Sequence, residues 1–486
     1  CGYSQLPSEY DQISAPTLPG ASYRTFCSIV ADEDLETDCV DAVKAFTQAD
    51  LDKRLYSDMP AGFTRPGYIL LLLKALEGIK QGSALWYAKN KWAWNKCGMN
   101  ADPVEPNMYT HPDLQILIAV FADDMGVGFN RSVRAEYLKI RNKYSELIKI
   151  DSPGPDVTVP ITVFIGTEWT RNRRDGTLKV TQVKYIKKLE KRYEGQFTRN
   201  EMPYVNTDKG RKEFEELPDW KEGPCVDRAE YLELMGFIGW PSTTTRPELA
   251  YTFSILSKCS MDPRKKEFEA GLHVVGYLVE TIEIGAEYGG PLKVPLGLVG
   301  FPPNFTQSRG TWGSTDSSWG KGPHPQGGHV VFRCNAAVLW ASKTLKLVPM
   351  STAEAETAEG SRATKSGMFF KSLMIGVKRK ILGPIPFTGD NQAMHQIVEK
   401  DGSSHRTRHF ERATVLIKWA VLKLLVKLYL VRSAECVADI FTKAVTKETF
   451  MRLRAVLHNL PYRTASTDAA ARLASALARL PKRLFG

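Results

Sequence analysis

Two adjacent aspartates, Asp123 and Asp124, stand between two apolar runs in residues 116–129 (ILIAVFADDMGVGF). This pattern predicts a buried β-hairpin with both carboxylates at its tip. Two neighbouring carboxylates repel each other once they leave water, so a fold that keeps both charged needs a cation beside them. Ligands that are all oxygen favour Mg²⁺ or Mn²⁺. A plain hairpin turn is an equally good interpretation of the pair taken alone.

A third acidic residue, Asp41, begins residues 41–63 (DAVKAFTQADLDKRLYSDMPAGF). We expect a short strand that follows Asp41 and ends at Ala45-Phe46. A single Asp in such a place is usually a cap or a surface residue. Beside the paired aspartates it would complete a two-metal site, in which ions about 3.5–4 Å apart activate the attacking oxygen and stabilise the leaving one.

Four more acids carry the same chemistry later in the chain. Asp316 lies near the end of a predicted strand, and Glu356 lies in the first turns of a helix that opens with a capping box at residues 351–354. Asp390 ends a short predicted strand, and Asp439 begins a predicted final helix. Each acid alone is most simply surface charge. Together they predict a second all-carboxylate site, for metal-dependent cleavage of a phosphodiester.

The elements that must position the first site follow from apolar spacing. Residues 71–94 predict a packed helix broken by Gly78 and Gly82, with Gln81 facing either a base or sugar or solvent. Residues 163–181 predict a hairpin whose turn is Asp175-Gly176.

Positive charge is dense in the second half of this hairpin and in the residues that follow it. Residues 171–192 hold nine basic and two acidic side chains, a net charge of +7, beside Trp169 and Tyr185. Basic side chains interleaved with aromatic rings suit a track for a nucleic-acid backbone, whereas the alternative is a solvated charged face. The lysines that we expect to contact phosphates are Lys187, Lys188 and Lys191.

The remaining segments give the outline of the chain. Residues 206–226 are polar and contain prolines, which favours a linker, and residues 231–288 predict helices. Residues 330–340 predict a hairpin that turns near Cys334-Asn335. Residues 413–431 are apolar but interrupted by three lysines, so we expect a core helix that leads into a strand near 425–431 and no bilayer span.

Composition sets broad limits. The chain has 486 residues, of which 43% are hydrophobic and 24% charged, as in a soluble protein of about three domains. Its net charge of +11 suits a polyanionic partner or simply a basic protein. Eight scattered cysteines without a C-x-x-C pair argue against a disulfide framework or a zinc site and favour a reducing, intracellular compartment. We expect no signal peptide, and because the chain opens at Cys1 we expect a piece of a longer protein.

The order of these segments resembles the reverse transcriptase–RNase H part of a copia-type LTR retrotransposon polyprotein over about residues 2–458. The matching segments of the first half are DAVKAF with YSDMPAGF, LKALEGIKQGSALWY, FADD, and FIGTEW followed by KVTQVKYIKKLEKRY. Those of the second half are MGFIGWPSTTTRPELAYTFSILSK, STDSSW, STAEAE, GDNQA, HRTRHFE and VADIFTK.

The resemblance implies an α+β fold, a right-hand polymerase with palm and fingers and a helical thumb or connection, followed by an RNase H-like α/β domain. The implied boundaries are 1–205 for fingers and palm, 206–300 for thumb and connection, 301–460 for the RNase H-like domain and 461–486 for an Ala/Arg-rich tail. The family's basic fingers residues would lie upstream of Cys1.

The resemblance also assigns roles to residues. Asp41, Asp123 and Asp124 would be the polymerase metal ligands, and the RNase H ligands would be Asp316, Glu356, Asp390 and Asp439, with two Mg²⁺ or Mn²⁺ ions at each site. Phe46 would screen the 2′ position of the incoming sugar, and Gln81 would lie under the template–nucleotide pair.

The implied activities are RNA- and DNA-directed DNA synthesis and cleavage of RNA in hybrids. The implied partners are an RNA template, a DNA primer, an RNA–DNA hybrid and dNTPs, without a membrane, in a cytoplasmic particle or the nucleus. Two alternatives remain. One is a decayed or co-opted copy that binds hybrids without chemistry, and the other is a nuclease attached to an inert polymerase remnant.

Overall fold

The computed structural model describes residues 5–294, 301, 310–318, 324–399 and 411–462. Within these ranges the chain mixes helices and sheets throughout, as the sequence predicts. No helix of the described ranges has the length and apolar character that a membrane span requires. Most of HRTRHFE and, from residue 463 on, the predicted tail lie outside the described residues.

The first part of the chain is built on a six-stranded sheet. Its elements are α1 (Gly20–Asp32), β1 (Glu36–Ala42), β2 (Asp50–Ser57), β3 (Leu70–Lys74), α2 (Gly82–Lys96), β4 (Asn100–Ala101), β5 (Met108–Thr110), β6 (Ile116–Phe121), β7 (Asp124–Phe129), α3 (Arg134–Leu147) and β8 (Ile150–Asp151). The sheet order is β4-β5-β6-β7-β1-β8, while β2 and β3 form a separate ribbon. The predicted hairpin of residues 116–129 is confirmed as β6 and β7.

The middle part combines a small sheet with helices. Its elements are β9 (Val163–Phe164), β10 (Thr167–Asn172), β11 (Thr177–Thr181), α4 (Val183–Arg192), α5 (Asp208–Glu215), α6 (Arg228–Thr244), α7 (Ala250–Ser257), α8 (Lys265–Glu280) and β12 (Ala286–Gly289). The sheet order is β12-β11-β10-β9, so the predicted hairpin of residues 163–181 is confirmed.

The last part is a mixed five-stranded sheet with helices. Its elements are β13 (Trp312–Ser318), β14 (Gln326–Arg333), β15 (Ala336–Thr344), α9 (Thr352–Gly376), β16 (Ile385–Gly389), α10 (Gln392–Glu399), α11 (Glu411–Leu422), β17 (Val426–Leu430) and α12 (Lys447–His458). Strands β15, β14 and β13 are antiparallel, and β16 and β17 continue the sheet in parallel with β13. The predicted 330–340 hairpin and the helix leading into a strand near 425–431 are both confirmed.

Helix α1 joins the three parts. Its Phe26 lies in an apolar cluster with Trp169 of β10, Val331 of β14 and Phe370 of α9. Arg24 of the same helix is buried, and its Nε donates to the carbonyl of Val338 in β15 at 2.8 Å. Its Nη1 donates to carbonyls at the end of α6, where a cation also suits the helix dipole. Helix α1 therefore packs against both the middle and the last part of the chain.

The strand predicted after Asp41 is wrong. Asp41 lies inside β1, and Ala45–Gln48 is a single 3-10 turn. Residues 36–41 pair with β7, and Lys44 then takes a left-handed backbone with φ of +50°, which ends the strand. The strand contains the acid and does not follow it, because residues 36–41 pair with β7.

The predicted helix over residues 71–94 is wrong in its first half. Leu70–Lys74 is β3, paired with β2, and the helix starts only at Gly82. Gly78 has φ of +87°, a turn conformation that separates the two elements. An apolar run of this length fits a strand as well as a helix, and the partner strand decides.

Two further predictions need correction. Residues 206–226 are not a plain linker, because they form α5 and bury Phe214 and Leu217 in a core cluster. Asp439 does not begin an α-helix but lies in the 3-10 helix Val437–Phe441, and the last α-helix is α12.

Candidate active sites

The register of β1 brings the first acidic cluster together. Asp41 lies opposite Asp124 of β7, and on its other side opposite Asp151 of β8. The backbone N–H of Ala42 donates to the carbonyl of Asp123 at 3.2 Å. Three carboxyl groups predicted from the sequence are thus neighbours at one end of the sheet, and Asp151 adds a fourth that the sequence analysis missed.

The turn that carries Asp123 is strained and supported. Ala122 and Asp123 are its two central residues, since Phe121 pairs directly with Asp124. Ala122 has φ of +55°, a backbone conformation that residues other than glycine rarely adopt. The indole Nε1 of Trp86 donates to the Ala122 carbonyl at 2.9 Å. Helix α2 thereby fixes the turn that presents Asp123.

Electrostatics in this cluster are repulsive but mild. Partial burial, and then the charges of Asp123 and Asp151, raise the pKa of Asp41 above its ordinary value. Partial burial and the charges of Asp123 and Asp41 raise the pKa of Asp124. Asp41 and Asp123 are exposed, so water still solvates much of this charge.

The predicted nucleotide contacts lie beside this cluster. Phe46 is half-buried in its 3-10 turn and lies close to the backbone of Gly82 at the start of α2. Gln81 is buried, accepts a hydrogen bond from Gln5 at 3.0 Å and donates to the carbonyl of Glu9 at 3.0 Å. The Gln81 amide is therefore engaged by the segment before α1. The roles of both residues stay predictions.

The basic track is narrower than the charge count suggests. Lys187, Lys188 and Lys191 are exposed on α4. Trp169, by contrast, is 7% exposed and its indole donates to Tyr23 at 2.8 Å, so its assignment to the track is wrong. Strand alternation turns Trp169 to the same buried face as Thr167. The contacts expected of the lysines stay predictions.

The second acidic cluster is buried. Asp316 of β13 is 4% exposed and Glu356 of α9 is 6% exposed, while Asp390, directly after β16, is half-buried. Oxygen atoms of these three side chains all lie within 4.8 Å of one another. The backbone N–H of Ser317 donates to Glu356 Oε1 at 3.2 Å, which holds that carboxylate toward the strand.

Asp316 also belongs to a second group. A carboxylate oxygen of Asp316, a carboxylate oxygen of Asp439 and Cys436 Sγ all lie within 4.8 Å of one another. The hydroxyl of Thr442 donates to Asp316 Oδ2, and Lys443 Nζ lies 2.9 Å from Asp439 Oδ1. Cys436, Thr442 and Lys443 were not predicted from the sequence to belong to the site; only Lys443 had a signal, its i,i+4 spacing from Asp439.

Burial shifts the pKa values of this cluster strongly. Burial first, and then the charges of Asp316 and Asp390, raise the pKa of Glu356 to about 9. Burial and the Asp316 charge raise the pKa of Asp439 to about 7, although Lys443 opposes them. Burial also raises the pKa of the Cys436 thiol, which keeps it protonated. Buried carboxylates with so little compensating charge are a donor set that fits divalent cations.

The first cluster lies in a part of the chain that matches a known family. A family model described as reverse transcriptase (RNA-dependent DNA polymerase) matches residues 1–206, which contain Asp41, Asp123 and Asp124. The Pol polyprotein of the tobacco (Nicotiana tabacum) transposon TNT 1-94 is 24% identical over 91% of this chain and 32% of its own length. The chain is related to copia-type retrotransposon Pol polyproteins. The resemblance seen in the sequence is confirmed.

Other relatives extend the match beyond the family model. The Pol polyprotein of transposon RE2 from Arabidopsis thaliana is 23% identical over 92% of this chain and 29% of its own length. A putative transposon Ty5-1 protein of Saccharomyces cerevisiae is 25% identical over 65% of this chain and 96% of its own length. The chain thus spans about a third of the TNT 1-94 and RE2 polyproteins.

A solved structure also matches part of the chain. It is RNase H1 from Halobacterium salinarum, with 16% identity, a TM-score of 0.21, and coverage of 27% of this chain and 93% of that one.

Proposed function

We propose that the chain is an RNA- and DNA-directed DNA polymerase with a separate RNase H activity. The observation that carries the proposal is the register of β1 with β7, which sets Asp41 opposite Asp124 inside the segment that matches the reverse transcriptase family. In this proposal residues 1–205 are palm and fingers, 206–300 thumb and connection, and 301–460 the nuclease domain. The substrates are a primed RNA or DNA template, dNTPs and RNA–DNA hybrids.

Each site would hold divalent cations through its carboxylates. Asp41, Asp123 and Asp124 would bind them at the polymerase site, and the nuclease ligands would be Asp316, Glu356, Asp390 and Asp439. Mg²⁺ or Mn²⁺ bound there would lower the pKa of the attacking hydroxyl or water and neutralise charge on the leaving oxygen.

The protein's own contribution is preorganisation. At the polymerase site Trp86 fixes the turn that presents Asp123, and Phe46 beside α2 would limit the space around the sugar. At the nuclease site the Ser317 N–H and the Thr442 hydroxyl orient two of the carboxylates before substrate arrives. Oriented ligands need not reorganise during the reaction, which is the main source of electrostatic catalysis.

One experiment tests both activities. The purified chain is given a primed RNA template with dNTPs and Mg²⁺, and in parallel an RNA–DNA hybrid with labelled RNA; EDTA is the control. We expect primer extension and RNA cleavage, both lost in EDTA. Binding of the hybrid without either reaction would indicate the decayed or co-opted copy, and cleavage without extension the nuclease with an inert polymerase remnant.

A further inference from the structure

Lys443 lies at one side of the nuclease cluster. Its Nζ is 2.9 Å from Asp439 Oδ1, and the Asp439 side chain is only 13% exposed, against 42% for Lys443. The preceding residue, Thr442, donates its hydroxyl to Asp316. Two consecutive residues after the 3-10 helix Val437–Phe441 therefore contact two different carboxylates of the cluster.

The cluster has two halves, which share Asp316 and differ in their charge. One half is the all-carboxylate group of Asp316, Glu356 and Asp390. The other half contains Asp316 again, with Asp439 and the buried thiol of Cys436. Lys443 contacts the second half, which has fewer carboxylates and already holds a positive charge. A divalent ion therefore meets very different conditions in the two halves.

We infer that Lys443 is the resident counter-ion of the Asp439 half. A divalent ion must displace the Lys443 ammonium group before it binds in that half. The inference rests on the proposed nuclease function of the cluster. The all-carboxylate half would take the first ion, because it offers three carboxylates and the ion pair of Lys443 is with Asp439, outside this half. The second ion would bind more weakly, since it gains the Asp316–Asp439 pair only by ending the contact between Lys443 and Asp439.

The simpler alternative is a local i,i+4 ion pair without any effect on metal binding. Local ion pairs with this spacing contribute little to stability when they are exposed. The two interpretations differ in one measurable quantity. A local pair leaves the affinity of the second ion unchanged when the charge is removed, whereas a resident counter-ion that competes with the metal does not.

The test is a Mn²⁺ titration of the full chain. Binding is measured by calorimetry and by the loss of the electron paramagnetic resonance signal of free Mn²⁺. All proteins carry Asp123→Asn and Asp124→Asn, so that ions at the polymerase site do not contribute. The variants are Lys443→Gln and Lys443→Arg. The matched control is Lys447→Gln, because Lys447 is similarly exposed (48%) but pairs with Glu201.

We expect two ions of unequal affinity in the parent protein. Lys443→Gln should tighten the weaker site roughly tenfold, as expected when a competing charge within contact distance is removed, and leave the stronger site nearly unchanged. Lys443→Arg and Lys447→Gln should resemble the parent. If Lys443→Gln does not fold, Lys443→Met repeats the test with a long apolar side chain.

Two results would overturn the inference, and they are distinguishable. Equal Mn²⁺ affinities in the parent and Lys443→Gln, with hybrid cleavage retained, would make Lys443 a local ion pair and leave the nuclease function standing. Absence of Mn²⁺ binding and of cleavage in the parent would overturn the nuclease function together with the inference.

Discussion

The two acidic clusters differ most in their exposure to solvent. Asp41 and Asp123 are exposed at the end of a sheet, where water screens their repulsion, whereas Asp316 and Glu356 are almost fully buried. The pKa of Glu356 is consequently raised to about 9, while the Asp41 carboxyl has a raised pKa with smaller burial as its main cause. The comparison teaches that similar acidic motifs can differ in how they avoid repulsion: without a cation the buried Glu356 keeps its proton, whereas the exposed carboxylates are solvated by water.

The largest expected effect is on catalysis at the exposed site. Asp123→Asn should lower nucleotide incorporation at least about a hundredfold, because it removes a charge aimed at the reacting groups but keeps side-chain size. The melting temperature should barely change, since Asp123 is exposed. Incorporation on a primed template and a melting curve on the same sample measure both. Unchanged incorporation would mean that Asp123 and Asp124 only form a structural turn.

A second effect concerns the shape of the exposed site. Phe46→Val should keep dNTP incorporation within about an order of magnitude and sharply increase the use of rNTPs, since discrimination by pocket shape is worth about 1–3 kcal/mol per small group. Steady-state incorporation of dCTP against CTP measures this. If Phe46 is instead only a core side chain, incorporation of dCTP and of CTP should fall equally and the melting temperature should fall.

The buried site should reveal itself through pH. Between pH 7 and 9 without divalent ions, native Glu356 keeps a proton that the unfolded chain, with an ordinary value of 4.5, has lost. The free energy of unfolding should therefore fall as pH rises, by up to about 1.4 kcal/mol per pH unit for this group. Glu356→Gln should reduce that slope, as should Mg²⁺ added to the wild-type protein. Denaturant unfolding at several pH values measures it, and equal slopes would contradict the burial argument.

The smallest effect concerns a surface that would serve both sites. Replacing Lys187, Lys188 and Lys191 with Gln should weaken binding to hybrids of every sequence alike. It should also reduce the salt dependence of binding, by up to about 0.9 in log–log slope for each phosphate that a removed lysine would have neutralised. Fluorescence anisotropy over a range of salt concentrations measures this. A slope equal to that of the wild type would show that this face is only solvated.

The sequence predicts those parts of the sites that depend on local pattern. The hairpin of β6 and β7, the strand that carries Asp316 and the helix that carries Glu356 all follow from short-range periodicity and capping. Where pairing between distant segments decides, the prediction is wrong: β1 places Asp41 within the strand, and β2 makes residues 70–74 a strand. Asp151 and Cys436 reach the sites through such long-range contacts, and no local pattern marks them.

The central claim is that the two clusters are separate catalytic sites. The most direct test measures primer extension and hybrid cleavage side by side for Asp124→Asn and for Glu356→Gln. We predict that Asp124→Asn loses extension and keeps cleavage within about twofold of wild type, and that Glu356→Gln does the reverse, because each cluster has its own carboxylates. Loss of both activities together in either variant, with the fold intact, would contradict the account.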